Sequence, residues 1–465
     1  MKTWNQLFVR TGWLLKEVQP QVFDCYKETK ENIYLLKKCL DRVNADYKMN
    51  CDFLEMHSEP VSEAEWLEVI QYEFQGINGS YWFRPGDENI QIKNLDMYIS
   101  GVVRQLNRLG FYTTMSCDGH HSRPAWVYVE KDVNVEKLME LLQTLGMSPR
   151  LIENENQKRY KVMFNQTSYE QLLDLAEKLS QFNKDSLEKG MEFIKEQLFY
   201  KLVEEALNIP GESGKENQVR NYVLEQLAPY VDNMKVDYAG NVLAEKKYGT
   251  GIGPTILLNA HLDTVYEMEK NREIVKDGII WSSSKGLLGA DDRAGVAIIL
   301  QIAKQLYKSK IFNGKVKFIF TVEEEIGLLG AKQVNEYFLW GIDAAIVVDR
   351  RGTGDIVTSY EGWTPYCDKR YGEFIEEVAK TAGLEGWKTT SGGSSDTKVW
   401  ASHGIQSVNL SVGYQNEHTD YETLNIAACY ETTKLVLAIL SKWRELKAVI
   451  REIKREPIIA SIREV

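Results

Sequence analysis

The second half of the chain alternates short apolar runs with longer segments whose apolar residues recur three and four positions apart. The runs predict buried strands, and the longer segments predict helices that pack one face on a sheet. The predicted strands are residues 255–260, 315–322, 343–348 and 405–412, and the predicted helices are residues 294–307, 328–338, 371–383 and 426–443. Such alternation is typical of an α/β fold, so we expect a mainly parallel mixed sheet flanked by helices.

The first half shows a different pattern. Residues 1–75 carry apolar positions at helical spacing between charged faces, which predicts a helical N-terminal segment. Residues 76–183 read as a helix, two strands, a helix, two strands and a helix, which predicts a small α+β domain of unassigned role. We expect a catalytic domain over residues 191–447 and a C-terminal tail over residues 448–465.

Composition and charge narrow the class of protein. The 465 residues are 43% hydrophobic and 26% charged, as in globular proteins that bury a large core. A net charge of −11 argues against nucleic-acid binding. We find no apolar run long enough to span a membrane and no signal peptide. Six scattered cysteines indicate free thiols in a reducing compartment, so we expect a cytoplasmic protein. From the net charge and the lengths of the apolar runs, we expect it to contact neither nucleic acid nor a membrane.

Polar residues that can bind metal stand at the ends of the predicted strands. The first strand ends in His261 and Asp263, which point the same way because side chains alternate along a strand. The other ends and one helix start carry the sequences GADDRAG, EEEIG, VVD and EHTD. The carboxyl ends of parallel strands meet at one edge, where clustered acids repel unless a cation lies among them. Imidazoles with carboxylates suit zinc, with manganese or cobalt as alternatives.

From about residue 195 to residue 445 these motifs resemble those of the co-catalytic di-zinc peptidases. HLDT, GADDRAG, EEEIGLLGA, VVD and EHTD occur in the order and spacing of the family 28 aminopeptidases and their relatives, tripeptidase T and the glutamyl-type aminopeptidases. The resemblance implies a zinc-aminopeptidase-like fold, two divalent ions and an exopeptidase that acts on short peptides.

The resemblance also implies five metal ligands, which are His261, Asp291, Glu325, Asp349 and His418. Asp291 resembles the carboxylate that bridges both ions. His261 and Asp349 would complete the site of one ion, and Glu325 and His418 would complete the other.

Two further acids resemble the catalytic groups of the family. Glu324 resembles the general base that takes a proton from water and passes it to the leaving amine. Asp263 resembles the residue that orients the metal-binding histidine of the first strand. The three consecutive glutamates leave the register open, and we place the ligand at Glu325 because Ile326 and Gly327 follow it directly.

Other polar residues receive supporting interpretations. The GGSSD segment resembles a serine–aspartate turn of family 28, so we expect Asp396 to lie near the site in a structural role, whereas His403 is expected to cap or pack. Cys117, His120 and His121 could bind a metal or a small ligand, but a polar turn is the favoured interpretation.

The lengths of chain between the motifs distinguish among the related families. The stretch from His261 to Asp291 is too short to hold the domain that glutamyl-type enzymes insert there. The stretch from Asp349 to His418 is too short for the lid domain of tripeptidase T. We therefore expect one catalytic domain, closest to family 28, in an aminopeptidase for short peptides.

Two alternatives stay open. An N-acyl amino-acid deacylase or a carboxypeptidase would keep the metal site and use Arg350 and Arg351 to hold the substrate carboxylate. An inactive ligand-binding or regulatory homologue would keep the fold without the reaction. The sequence also leaves open the native metal, the preferred side chain and whether the chain forms a homo-oligomer.

Overall fold

The structure is a computed structural model that describes residues 2–463 apart from 51, 74–89, 120–122, 132 and 154–158. The chain divides into two compact units, Met1–Lys195 and Glu196–Val465. None of the helices in the described part of the chain has the length and apolar character that crossing a membrane requires.

The first unit contains seven helices, one 3-10 turn and eight strands within its described residues. The helices are α1 (Trp4–Arg10), α2 (Lys30–Arg42), α3 (Glu63–Glu73), α4 (Met97–Arg108), α5 (Val135–Thr144), α6 (Tyr169–Ser180) and α7 (Lys184–Glu188), with the 3-10 turn at Ile92–Asn94. The strands are β1 (Lys16–Gln19), β2 (Val22–Asp24), β3 (Tyr47–Asn50), β4 (Phe53–Met56), β5 (Thr113–Cys117), β6 (Ala125–Glu130), β7 (Pro149–Glu153) and β8 (Arg159–Phe164).

The structure differs from the helical segment predicted for residues 1–75. Strands β1 to β4 form an antiparallel sheet in the order β1-β2-β4-β3, in addition to α1, α2 and α3. Each strand has only three or four residues, and all four residues of β1 are exposed. Strands this short show no alternating pattern in the sequence, which is why the sheet was not predicted. The core beside them is aromatic, with Trp4, Phe8 and Trp66 in mutual ring contact.

The order predicted within residues 76–183, a helix, two strands, a helix, two strands and a helix, matches the order α4, β5, β6, α5, β7, β8 and α6. Strands β5 to β8 form an antiparallel sheet in the order β5-β6-β8-β7. Strand β6 alternates buried and partly exposed residues along its length, as expected for a sheet with one covered face.

The second unit contains nine helices, one 3-10 turn and thirteen strands within its described residues. The helices are α8 (Met191–Leu207), α9 (Asn217–Leu227), α10 (Ala290–Lys308), α11 (Leu329–Lys332), α12 (Glu336–Leu339), α13 (Lys369–Thr381), α14 (Asp396–Ser402), α15 (Ile426–Ser441) and α16 (Trp443–Arg463), with the 3-10 turn at Ala228–Tyr230. The strands are β9 (Asn233–Val236), β10 (Val242–Tyr248), β11 (Thr255–His261), β12 (Ile274–Asp277), β13 (Ile280–Ser283), β14 (Gly314–Thr321), β15 (Ala344–Arg350), β16 (Asp355–Tyr360), β17 (Thr364–Pro365), β18 (Lys388–Gly392), β19 (Gln406–Ser411), β20 (Tyr414–Gln415) and β21 (Thr423–Asn425).

A nine-stranded mixed sheet forms the centre of the second unit. Its order is β17-β16-β19-β15-β11-β14-β10-β9, with β18 beside β16. The neighbours β14, β11, β15 and β19 run parallel to one another. Strands β10 and β16 join them in the antiparallel direction. The predicted mainly parallel mixed sheet flanked by helices is therefore confirmed.

Strand β11 is buried on both faces, which explains its nearly continuous apolar sequence. Ile256 and Leu258 point into the large core cluster that contains α10 and α15. Leu257 points to the opposite face, into a smaller cluster with Trp400 of α14. The central strand therefore fixes His261, its last residue, at the edge of the sheet.

Two elements of the second unit differ from their predictions. The helix predicted for residues 328–338 is two short helices, α11 and α12, and the side chain of Asn335 caps the second by accepting from Tyr337 N. The tail predicted for residues 448–465 is part of α16 over its described residues. Leu446, Ile450 and Ile453 recur at helical spacing and are buried in the core cluster, which holds that helix on the unit.

Candidate metal centre

The strand ends of the second unit bring the predicted site residues to one edge of the sheet. Six of the seven line the same cleft, namely His261, Asp291, Glu324, Glu325, Asp349 and His418. The seventh, Asp263, is fully buried behind them, with its Oδ1 atom 3.3 Å from Nδ1 of His261. The sequence pattern therefore named a set of residues that the fold brings together.

Asp291 lies between two groups of ligand atoms. Its Oδ1 atom is 3.0 Å from Nε2 of His261, which lies 3.5 Å from Oδ1 of Asp349. Its Oδ2 atom is 3.2 Å from Nε2 of His418, which lies 2.9 Å from Oε2 of Glu325. Each oxygen of this carboxylate thus faces a different histidine and a different second acid.

The donor set of these two groups fits divalent cations. In each group the candidate ligand atoms all lie within 4.8 Å of one another. The atoms are imidazole nitrogens and carboxylate oxygens, which zinc and related metals accept. Burial raises the pKa of the Asp349 carboxyl to about 7 and that of Glu324 to about 10. The protein alone therefore does not fully stabilise the negative charge of these two acids.

Neighbouring carboxylates raise the pKa of both histidines. Hydrogen bonds that His418 donates to Asp291 and Glu325 raise its pKa to about 11. Burial lowers the pKa of His261, but the neighbouring carboxylates of Asp349, Asp263 and Asp291 outweigh that effect and hold it well above its usual value. Because a ligating imidazole must be neutral, protons and metal ions compete for these positions.

Asp263 fixes the segment that carries the two cleft-lining glutamates. Its Oδ1 atom accepts from Glu324 N at 2.9 Å and its Oδ2 atom accepts from Glu325 N at 3.1 Å. Oδ2 also accepts from Ser213 Oγ at 2.7 Å. Burial alone would raise the pKa of Asp263, but its contact with His261 outweighs burial and lowers it to about 2. One buried carboxylate thus positions a histidine and both glutamates.

Glu422 holds Asp291 in place, and the sequence analysis did not identify it. This residue is 1% exposed and its carboxylate accepts from Gly289 N at 2.6 Å and from Asp291 N at 2.9 Å. Gly289 has φ +75°, a conformation that favours glycine. The only signal in the sequence was that this glutamate lies in the EHTDYE segment, close after His418.

The second aspartate of GADDRAG has a backbone role. Asp292 is fully buried and accepts from His261 N at 3.2 Å and from Gly295 N at 3.0 Å. A Cβ atom at Gly295 would lie 2.1 Å from Val348 O, so only glycine allows the helix to approach β15 this closely. The spacing of the motif therefore reflects packing as well as ligand placement.

Asn409 of β19 and Tyr414 of β20 position Asp349. Asp349 N donates to Oδ1 of Asn409 at 2.9 Å, and Nδ2 of Asn409 donates to Asp349 O at 3.0 Å. The buried hydroxyl of Tyr414 donates to Oδ1 of Asp349 at 3.0 Å. These contacts join positions about 60 residues apart, and no sequence pattern links them.

The supporting residues fall outside the two ligand groups. Asp396 is 1% exposed, accepts from Thr321 Oγ1 and has a pKa raised to about 6 by burial. His403 is exposed and is the C-cap residue of α14. In the first unit, Cys117 lies with Asp96 and Asp118 in a third group of candidate ligand atoms. His120 and His121, also named in the sequence analysis, lie outside the described residues.

Comparison with known proteins finds similarities that cover part of the chain. Residues 269–435 match the model of the M42 glutamyl aminopeptidase family. The chain is 25% identical to the uncharacterized protein YqjE of Bacillus subtilis, over 44% of this chain and 85% of that protein. It is 24% identical to a putative aminopeptidase of Acetivibrio thermocellus, over 52% of this chain and 99% of that protein.

Other matches are shorter or more distant. The chain is 35% identical to peptidase T of Salmonella arizonae, but only over 23% of this chain and 24% of that protein. The crystal structure of aminopeptidase PepT from Bacillus cereus is 19% identical and superposes with a TM-score of 0.49, covering 54% of this chain and 99% of that one. The resemblance to the family 28 aminopeptidases stays a prediction, because the family model that matches is that of the M42 glutamyl aminopeptidases. Residues 269–435 are similar to the glutamyl aminopeptidase family, and the predicted metal-dependent aminopeptidase, a hydrolase, is confirmed.

Proposed function

We propose that the second unit hydrolyses short peptides from their amino end at a site that holds two divalent ions. The observation that carries this proposal is the position of Asp291, whose two oxygens face two separate histidine–carboxylate groups. A carboxylate shared in this way is what a pair of neighbouring metal ions requires.

The candidate ligands divide between the two ions. His261 and Asp349 would hold one ion, Glu325 and His418 would hold the other, and Asp291 would bridge them. Zinc suits this set, and manganese or cobalt could replace it. Bound divalent ions supply Lewis-acid chemistry, because they polarise a peptide carbonyl and make water more acidic.

Glu324 is the residue we propose as general base. It lines the cleft, and its backbone is fixed by the bond from its N–H to Asp263. Its carboxylate takes a proton from the water that attacks the peptide carbonyl, and later gives that proton to the leaving amine. Burial raises the pKa of Glu324 to about 10, which favours the protonated carboxyl between these two steps. Nearby positive charge lowers that pKa, which favours the carboxylate that accepts the first proton.

A second candidate function keeps the site but changes the bond. Arg350 and Arg351 line the same cleft, so a substrate carboxylate next to the scissile bond would have a partner there. That arrangement would suit a carboxypeptidase or an N-acyl amino-acid deacylase.

A matched peptide panel tests the proposal. Free, N-acetylated and C-amidated forms of the same dipeptides and tripeptides are incubated with the zinc-loaded chain, with and without a chelator. We expect hydrolysis of the free peptides, loss of hydrolysis on N-acetylation and loss of all activity with the chelator. Activity that survives N-acetylation but not amidation would favour a carboxypeptidase, and release of acetate would favour a deacylase. No hydrolysis under any condition would contradict the proposal.

A further inference from the structure

We propose that Arg350 binds a carboxylate group of the peptide substrate, an inference that rests on the proposed peptidase function. The carboxylate could belong to the C-terminus of a short peptide or to an acidic side chain. Either source offers the same pair of oxygens to a guanidinium group.

Arg350 is placed in the cleft by the strand that carries a candidate metal ligand. It is the last residue of β15 and follows Asp349 directly. Its backbone carbonyl accepts from Val412 N at 2.8 Å, which ties the strand end to the neighbouring β19 segment. A side chain on a paired strand is held more firmly than one on a free loop, so the guanidinium has a defined position.

The guanidinium of Arg350 has hydrogen-bond donors that can bind a ligand. Its Nε atom donates to Oδ2 of Asp355 at 3.1 Å, and the side chain is 23% exposed. Its two Nη groups have no hydrogen-bond partner among the residues that the structure describes. The pair of Nη groups forms the edge of the guanidinium that can bind a carboxylate with two parallel hydrogen bonds.

Arg351 is a weaker candidate for the same role. Its Nη2 atom already lies 2.8 Å from Oε1 of Glu417, whose side chain is 12% exposed. Arg351 itself is 60% exposed, so solvent screens its charge. We therefore assign the anchor to Arg350 and regard Arg351 as the partner of Glu417.

The charge of the cleft gives the anchor its importance. Its other charged lining residues are two histidines and five acids, namely Asp291, Glu324, Glu325, Asp349 and Glu417. Arg350 and Arg351 are the only arginine or lysine side chains among the described residues that line it. A substrate carboxylate near these acids is repelled unless it reaches a guanidinium, so Arg350 discriminates between charged and uncharged substrate ends.

The test compares three peptides, Ala-Ala-Ala, its C-terminal amide, and the amide of Glu-Ala-Ala. We expect the zinc-loaded wild type to prefer a carboxylate-bearing peptide over the Ala-Ala-Ala amide by about 10- to 100-fold in kcat/KM. Arg350→Gln should abolish that preference, because hydrolysis of the carboxylate-bearing peptide falls much more than hydrolysis of the Ala-Ala-Ala amide. Loss confined to free Ala-Ala-Ala assigns the C-terminal carboxylate, and loss confined to the glutamyl peptide assigns the side chain.

Asp355→Asn is the matched control. It breaks the Arg350–Asp355 pair but keeps the guanidinium, so the preference should persist. Equal loss on all three peptides in Arg350→Gln, or no loss on any, would overturn the anchor. If the wild type hydrolyses none of the peptides, the proposed function fails. Calorimetric binding of the same peptides to wild type and Arg350→Gln then decides the anchor separately, and equal binding to both overturns it.

Discussion

Arg104 in the first unit and Asp349 in the second are both buried charged residues, but their surroundings differ. Arg104 is 1% exposed and donates to Glu28 at 2.7 Å and to the carbonyls of Gly12 and Ile90 at 3.1 and 2.9 Å. Asp349 lies instead among other acids, and burial raises its pKa to about 7. The charge of Arg104 has a carboxylate partner, whereas Asp349 shares the imidazole of His261 with two other acids, Asp263 and Asp291.

The same contrast extends to the neighbours of these residues. Glu28 also accepts from Leu14 N and from the side chain of Asn32, so both of its oxygens are bonded. The cleft of the second unit brings five acids together, and burial raises the pKa of Glu324 to about 10. A buried charge with complete partners supports the fold, whereas a buried group of acids that outnumber their cationic partners indicates a site for external cations.

The largest effect that we predict is on catalysis. Glu324→Gln keeps the shape of the side chain but cannot accept a proton, so kcat should fall by about 10²- to 10⁴-fold. Bound metal should stay at the wild-type amount, because Glu324 is not one of the candidate ligands. Peptide hydrolysis and elemental analysis measure the two quantities.

Glu323→Gln is the matched control for that substitution. Glu323 precedes Glu324 in the same run of three glutamates but does not line the cleft. We expect activity close to that of the wild type. Loss of activity in this variant, with activity retained in Glu324→Gln, would show that the register we chose is wrong.

The next largest effect is on the stability of the first unit. Glu28→Gln removes one partner of a fully buried ion pair, so the charge of Arg104 loses this carboxylate. The free energy of unfolding should fall by about 3 to 5 kcal/mol, measured by urea denaturation of the full chain. Glu140→Gln, at an exposed position of α5, should change it by less than about 0.5 kcal/mol. Equal effects of both substitutions would break the contrast between the two units.

A smaller effect is expected at the residue behind the cleft. Asp263→Asn keeps the size of the side chain but presents an amide where Asp263 accepts from Ser213 Oγ and two backbone N–H groups. Zinc affinity or kcat/KM should fall by about 10- to 100-fold. Ser213→Ala, which removes only one of these donors, should have a smaller effect. Unchanged affinity and activity in Asp263→Asn would contradict its positioning role.

The last effect concerns the pH dependence of zinc affinity. The metal-free site holds protons, since the pKa of His418 is raised to about 11 and that of Asp349 to about 7. Metal must displace them, so zinc affinity should rise with pH between about 6 and 8, by about tenfold per pH unit for each proton released. Competition with a chelator at several pH values measures the slope. An affinity that does not change with pH would contradict the assignment of these ligands.

Much of the second unit could be predicted because its central strands, β11, β14, β15 and β19, are buried on both faces. The apolar run of β11 and the helical spacing around α10 are visible in the sequence without any knowledge of their neighbours. The short strands β1 to β4 could not be predicted, since their pattern depends on what covers them. Strands β12 and β21, which both pair with β13, were missed for the same reason.

The candidate site was predictable in its ligands but not in its supports. His261, Asp291 and Glu325 stand in local motifs whose spacing can be recognised. Glu422 reaches Asp291 across 131 positions, and Asn409 reaches Asp349 across 60, so only the folded chain shows these contacts. The candidate ligands can therefore be recognised from local motifs, whereas the residues that position them are found only from the tertiary contacts.

The most direct test of a two-ion site in the second unit is its metal stoichiometry. The chain is stripped with a chelator, loaded with zinc, dialysed and analysed for bound metal per chain. We predict about two ions in the wild type and at most one in Asp291→Asn, because that substitution removes one oxygen of the shared carboxylate. Glu28→Gln should still bind about two, since its buried charge serves the fold alone. A wild type that binds no more zinc than Asp291→Asn would contradict the account.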